Sequence, residues 1–172
     1  MPKSRIALTA AVLALAVPGV VAAQEASPAK NAAKTCKALR TAMGVDLFRT
    51  TYGTNNRKSN AFGKCVSGQA KVERAEVAKA KNTCRTEQDA DAAAFAVKYG
   101  TNRNGKNAYG KCVSAAAKKA NESETKNKVN AAKSCKADRK ADAAAFAAKW
   151  GSAKNAYGKC VSATAKAKND EA

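Results

Sequence analysis

The chain has 172 residues, with 32 Lys and Arg against 13 Asp and Glu, a formal net charge of +19, six Cys, no His and nine aromatics. Without His the usual general base and the commonest metal ligand are missing, and the widely spaced Cys contain no Cys-x-x-Cys pair that would suggest zinc. So large an excess of basic residues points instead to anionic partners.

The N-terminus reads as a secretory signal peptide, residues 1–23. Lys3 and Arg5 form a positive start, residues 6–17 an apolar stretch too short to span a bilayer, and Val21-Ala22-Ala23 a small-residue cleavage site. Cleavage after Ala23 removes two basic residues, leaving 149 residues at about +17. The next Cys is Cys36, too distant for a lipid anchor, and no later stretch predicts a transmembrane segment. The expected localisation is therefore secreted, extracellular or in the cell envelope. In such an oxidising compartment six Cys read as three disulfides.

A polar linker, residues 24–30, leads into three repeated units at 31–71, 80–121 and 130–170. Each opens with a Cys in an Ala-rich basic stretch: Cys36, Cys84, Cys135. An aromatic pair four apart, followed by Gly, comes next: Phe48/Tyr52-Gly53, Phe95/Tyr99-Gly100, Phe146/Trp150-Gly151. After a polar loop each unit closes on one phrase: Asn60-Ala-Phe-Gly-Lys-Cys65-Val-Ser, Asn107-Ala-Tyr-Gly-Lys-Cys112-Val-Ser, Asn155-Ala-Tyr-Gly-Lys-Cys160-Val-Ser. Ala, Lys, Arg and Glu dominate, so the local reading is helical. The glycines suit left-handed helix stops, and the Asn residues suit N-caps.

Cys65 and Cys84 fall on one predicted helix, as do Cys112 and Cys135. Nineteen helical residues span about 28 Å, whereas bridged Cα atoms lie within about 7 Å. The expected pairs are therefore Cys36–Cys65, Cys84–Cys112 and Cys135–Cys160, one per unit. In a simple hairpin Cys36 would lie too far from the turn to meet Cys65. Each first helix must break before its aromatic pair, and Gly44, Asp91 and Asp142 stand at that place. The fold class predicted is all-α: three tandem disulfide-stapled repeats joined by long connecting helices, elongated, like knots on rods. Residues 115–130 contain Val129 as their only large apolar residue, which predicts a solvent-bridging or frayed connector.

The nine aromatics occupy matched positions in each unit and read as core around the disulfides. Gly63-Lys64, Gly110-Lys111 and Gly158-Lys159 lack the strand and glycine spacing of a phosphate loop; the Gly permits close helix approach or serves a helix start. Lys64, Lys111 and Lys159 would then point to solvent or present charge at helix N-termini. The loop cations Arg57, Lys58, Arg103 and Lys106 are further candidates for anion contact, against the plainer reading of a solvated turn. Ser27-x-x-Lys30 and Ser123-x-x-Lys126 sit in exposed settings unsuited to nucleophilic catalysis. Glu73, Glu76, Glu122 and Glu124 read as helix-face partners of Lys and Arg.

The Tyr-Gly-Thr-Asn…Asn-Ala-Phe-Gly-Lys-Cys-Val-Ser pattern resembles that of uncharacterised secreted Cys-containing repeat proteins of high-GC Gram-positive bacteria. The resemblance covers residues 31 to about 168. It implies secretion and modular repetition, and brings no activity, cofactor or site residue. The shorter loop at Ser152–Lys154 and the extra residue before Gly44 depart from strict repetition.

The functional expectation is a non-enzymatic cationic protein without cofactor or small-molecule substrate. Distributed charge would hold it to cell-wall polymer, acidic polysaccharide, anionic lipid or extracellular nucleic acid. The alternative is a structural spacer or protein–protein interaction module whose charge serves solubility. A membrane-active role is disfavoured by the lack of a broad apolar face.

Overall fold

The computed structural model describes residues 28–152 and 155–171. The expected signal peptide, linker residues 24–27, Ser27 and Lys154 lie outside the described residues. Among the described residues there are seven helices and no strand: α1 (Pro28–Met43), α2 (Val45–Tyr52), α3 (Ala61–Ala90), α4 (Ala92–Tyr99), α5 (Ala108–Ala141), α6 (Ala143–Trp150) and α7 (Ala156–Asp170). The fold class is all-α. Pro28–Lys30, expected as linker, belongs to α1. Proline suits a first turn because its missing N–H would be unpaired there anyway.

The break before each aromatic pair follows from side-chain chemistry. Asp91 and Asp142 have extended backbone, and their carboxylates accept hydrogen bonds from the Ala94 N–H (2.9 Å) and the Ala145 N–H (2.8 Å). Gly44 makes the same break without a cap, at φ +86°, which only glycine adopts readily.

Two local expectations fail in units one and two for one reason: the loop after the aromatic pair folds back on the helix. Gly53 and Gly100 have φ of −73° and −69° rather than left-handed values. Glycine is needed there for proximity. A Cβ on Gly53 would stand 2.6 Å from the Arg49 carbonyl oxygen and 2.8 Å from Lys58 Cα. Gly151 does have positive φ, +88°, but its ψ of 159° is extended and not helical. Asn60, Asn107 and Asn155 make no side-chain cap. In units one and two the amide turns back into the loop instead. Asn60 Oδ1 accepts from the Thr54 N–H (3.0 Å) while Nδ2 donates to Thr54 Oγ1 (2.7 Å). Asn107 repeats this with Thr101 (3.0 and 2.6 Å).

The disulfides are Cys36–Cys65, Cys84–Cys112 and Cys135–Cys160, with Cα separations of 6.0, 6.0 and 6.1 Å. They agree with the spacing argument. Their effect on the architecture differs from the elongated expectation. Each long connector is bound at both ends, to different neighbours: α3 to α1 through Cys65 and to α5 through Cys84. Cys84 meets Cys112 and Gln69 meets Lys128 (2.8 Å), so α3 and α5 lie antiparallel side by side. Cys135–Cys160 and Asn127–Asn169 (2.7 Å) do the same for α5 and α7. The chain therefore zigzags, and α1 comes to rest on α5, where the Thr35 and Thr125 hydroxyls are 2.8 Å apart.

Units one and three consequently share one core. Leu39, Met43, Phe48 and Cys65 are buried with Ala131, Cys135, Phe146, Tyr157 and Cys160. This corrects the picture of separate knots on rods. The Tyr157 hydroxyl donates to the Ala132 carbonyl. Gly158 lets α2 approach α7, since a Cβ there would be 3.3 Å from Thr51 Cγ2; Gly63 and Gly110 face open space, so close approach explains only the third glycine. Unit two keeps its own small cluster of Ala80, Cys84, Phe95, Ala108, Cys112 and Val113. A stapled loop of this length stabilises by about 3–4 kcal/mol in the chain-entropy model. Replacing Cys84 and Cys112 by Ala should therefore raise amide exchange most in α4 and its flanks. Replacing Cys135 and Cys160 should raise it in units one and three together. Hydrogen exchange resolved by segment checks both; uniform loosening in either variant contradicts the division of the core.

A lysine-lined cleft as the candidate functional site

Lys64, Lys111 and Lys159 occupy equivalent places in the first turns of α3, α5 and α7, all exposed. They do not converge. Lys111 and Lys106 line a cleft of about 1130 Å3 between α1, α3 and α5. Lys159 lines a separate hollow of about 350 Å3 beside Thr51 and Tyr52, and Lys64 lines neither. Arg57 and Arg103 are exposed on loop tips. Lys58 is occupied: its ammonium donates to the Gly53 carbonyl (3.0 Å) and its backbone has φ +55°. It closes the loop with one of its three ammonium donors.

The cleft also gathers cations that were not among the expected anion contacts. Lys34 comes from α1, and Lys118 and Lys126 from α5; Val77, Ala117 and Val129 supply apolar wall. The α5 connector is thus neither frayed nor free in solvent. It is one wall of the cleft, and its polar stretch packs on α1 and α3.

A buried polar cluster stands behind this wall. Lys128 lies 2.5 Å from Glu124 and donates to Gln69 Oε1 at 2.8 Å, with the Lys128 and Glu124 side chains only 18% and 14% exposed. The pair is an i,i+4 partnership as expected, but an enclosed one. Lys118–Glu122 (4.0 Å) is the exposed counterpart. Glu73 departs from expectation altogether. It is 4% exposed, and beyond a weak contact with the Asn31 side chain its carboxyl oxygens meet no hydrogen-bond donor. Loss of hydration, reinforced by the Glu124 charge, pushes its pKa up to about 7, against the opposing pull of Asn31 and Lys128.

The signal for Glu73 was present. Counting along α3 from Cys65 to Cys84 in steps of three or four gives Gln69, Glu73, Val77 and Ala80. The stripe that faces the neighbouring helices contains two polar residues. The aromatics have structural roles: Phe48, Phe95 and Phe146 are buried, and Tyr99 and Tyr109 donate to Glu87 Oε2 (3.0 Å) and the Lys81 carbonyl (3.1 Å).

No protein-family model, curated protein or solved structure matches the chain. Among the described residues no helix is long and apolar enough to cross a membrane.

The raised pKa of Glu73 has a signed consequence for stability. The unfolded chain loses this proton near pH 4.5 and the folded chain near 7. Folding is therefore undisturbed by Glu73 below pH 4.5, and the cost of an ionised buried carboxylate grows up to pH 7. At 1.36 kcal/mol per pK unit, discounted for solvent screening, the cost is on the order of 1–3 kcal/mol. Glu73→Gln should be about 1–3 kcal/mol more stable than the parent at pH 8 and equal to it at pH 4, as read by urea denaturation. A difference independent of pH would remove Glu73 as its source.

Proposed function

We propose that this is a secreted or envelope-associated, non-enzymatic cationic protein that holds anionic polymers or surfaces by distributed electrostatics. The supporting observation is how little of the positive charge is neutralised internally. Of the 29 basic residues among the described ones (all 32 but Lys3, Arg5 and Lys154), only Lys98, Lys118 and Lys128 pair with carboxylates. The others mostly stand exposed on all three units. Cell-wall polymer, acidic polysaccharide, anionic lipid and nucleic acid all present the dense negative charge that such a surface attracts.

The cleft adds a direction to this charge. Lys34, Lys106, Lys111, Lys118 and Lys126 all line it, against Glu73, Glu76 and Glu122, so an extended polyanion lying there would meet several ammonium groups. Each neutralised phosphate releases counterions, and affinity then falls steeply with salt. The core shared by units one and three favours this reading over a rod-like spacer, since it yields a broad surface in place of a thin link.

Binding to a labelled DNA duplex or heparin should give a linear fall of log affinity with log salt. The triple variant Lys106→Gln/Lys111→Gln/Lys118→Gln should flatten that slope by about 2–3. Retention that persists unchanged in high salt, or no binding at low salt, refutes the proposal.

A further inference from the structure

The loop of unit two holds a chemistry that the electrostatic reading leaves unused. Asn104-Gly105 is the one Asn-Gly pair in the chain. It lies between α4 and α5, where Arg103, Asn104 and Lys106 are all exposed. In the loop of unit one the matching places hold Arg57 and Lys58. Lys58 and Gly105 share the same left-handed turn, at φ +55° and +65°. Gly105 takes that conformation without strain, and with no Cβ it leaves its own nitrogen uncrowded.

The Asn104 side chain is held in a reactive setting. Its Oδ1 accepts from the Lys106 N–H at 3.1 Å, the turn in which an Asn bonds its own backbone two residues on. The ring closed by that hydrogen bond contains Cγ, Cβ, Cα and C of Asn104 and the nitrogen of Gly105, which are the members of a cyclic imide. The same N–H donor meets negative charge as it develops on Oδ1. The Gly105 N–H donates to the Asn102 carbonyl (3.0 Å), and this one turn bond must open before the nitrogen can react. Asn60 and Asn107 are differently placed. Both ends of each amide are tied back to Thr54 or Thr101, and a helix follows.

We propose that Asn104 is a self-modifying site, converting through the imide to aspartate and isoaspartate and so adding negative charge to a cationic loop. Base removes the Gly105 amide proton, and the nitrogen bonds to Asn104 Cγ. The Cγ–Nδ2 bond breaks and ammonia leaves. Water then opens the imide. Attack at Cγ gives aspartate; attack at the main-chain carbonyl gives isoaspartate, with the chain running through Cγ. The sum is an amide plus water giving a carboxylate plus ammonium. Either product places a carboxylate between Arg103 and Lys106. Isoaspartate also lengthens the backbone just before the turn bond from the Ala108 N–H to the Gly105 carbonyl (3.0 Å), which leads Lys106 to the cleft. A weaker hold on polyanions as the protein ages follows. That consequence rests on the polyanion reading, whereas the conversion does not.

The test keeps the oxidised full chain at pH 8 and follows it by peptide mapping with mass spectrometry that separates aspartate from isoaspartate. Asn104 should convert at least tenfold faster than Asn56 or Asn102, exposed asparagines of the same two loops. Ammonia should appear in equal amount, and the rate should climb with pH. Asn104→Ser should abolish the conversion in a chain shown by circular dichroism to be folded. Conversion no faster than at Asn56 and Asn102 overturns the site. So does aspartate without isoaspartate, the mark of direct hydrolysis. Conversion more than tenfold slower in the folded chain than in the reduced, urea-unfolded chain also overturns it, because the Asn102 bond then locks the nitrogen. On immobilised heparin the converted fraction and Asn104→Asp should both elute at lower salt than fresh protein; unchanged elution contradicts the charge effect. Fresh protein that does not bind heparin at all refutes the polyanion reading and leaves the conversion, read by mass, standing.

Discussion

Everything in this fold depends on where each long helix is fastened. A disulfide within a unit looks like a local staple. Because each connector carries the last Cys of one unit and the first Cys of the next, it is fastened at both ends to different helices. Cys65 and Cys84 lie about 28 Å apart along α3 and face α1 and α5. Covalent fastening at both ends makes the helices lie alongside one another. It also brings α1 onto α5, a meeting between units one and three that no single repeat encodes.

That meeting creates both the shared core and the polar cluster. Ala-rich helices approach closely but offer little apolar area, so their stripes include Gln69, Glu73, Glu124 and Lys128. Three of these four satisfy one another. Glu73 stands outside this set, with only a weak contact to the Asn31 side chain, and its burial raises its pKa. It lines, with Glu76 and Glu122, a cleft that also holds five lysines. Elsewhere the positive charge is spread and solvated. That spread suits attraction to an extended polyanion and provides no selectivity among polyanions.

Much of the fold was legible in the sequence because it follows from local rules. The repeat, the helical composition and the reach of a helix between cysteines give the three pairings. Gly44, Asp91 and Asp142 mark the breaks, since glycine ends helices and aspartate caps them. What was not legible depends on the chain meeting itself. The Asn amides at 60 and 107 look like caps, but the loop before them offers Thr54 and Thr101, and these take the side chain first. Gly53 and Gly100 look like left-handed stops, but the loop crosses them too closely for a Cβ. Lys58 looks like a free cation until the same loop closes on it. Of the candidate anion contacts, only Lys106 and Lys111 come together in the cleft. Lys34, Lys118 and Lys126 join them by the packing of α1 on α5, which no repeat-by-repeat reading contains.

The packing of unit one on unit three can be read from methyl nuclear Overhauser contacts in the oxidised protein. The Thr35 and Thr125 hydroxyls are hydrogen-bonded at 2.8 Å, so their methyl groups should show a cross-peak, as should Thr51 with the Gly158 backbone. Absence of both, with units one and three relaxing as independently tumbling bodies, would contradict the account and return the molecule to separate knots on rods.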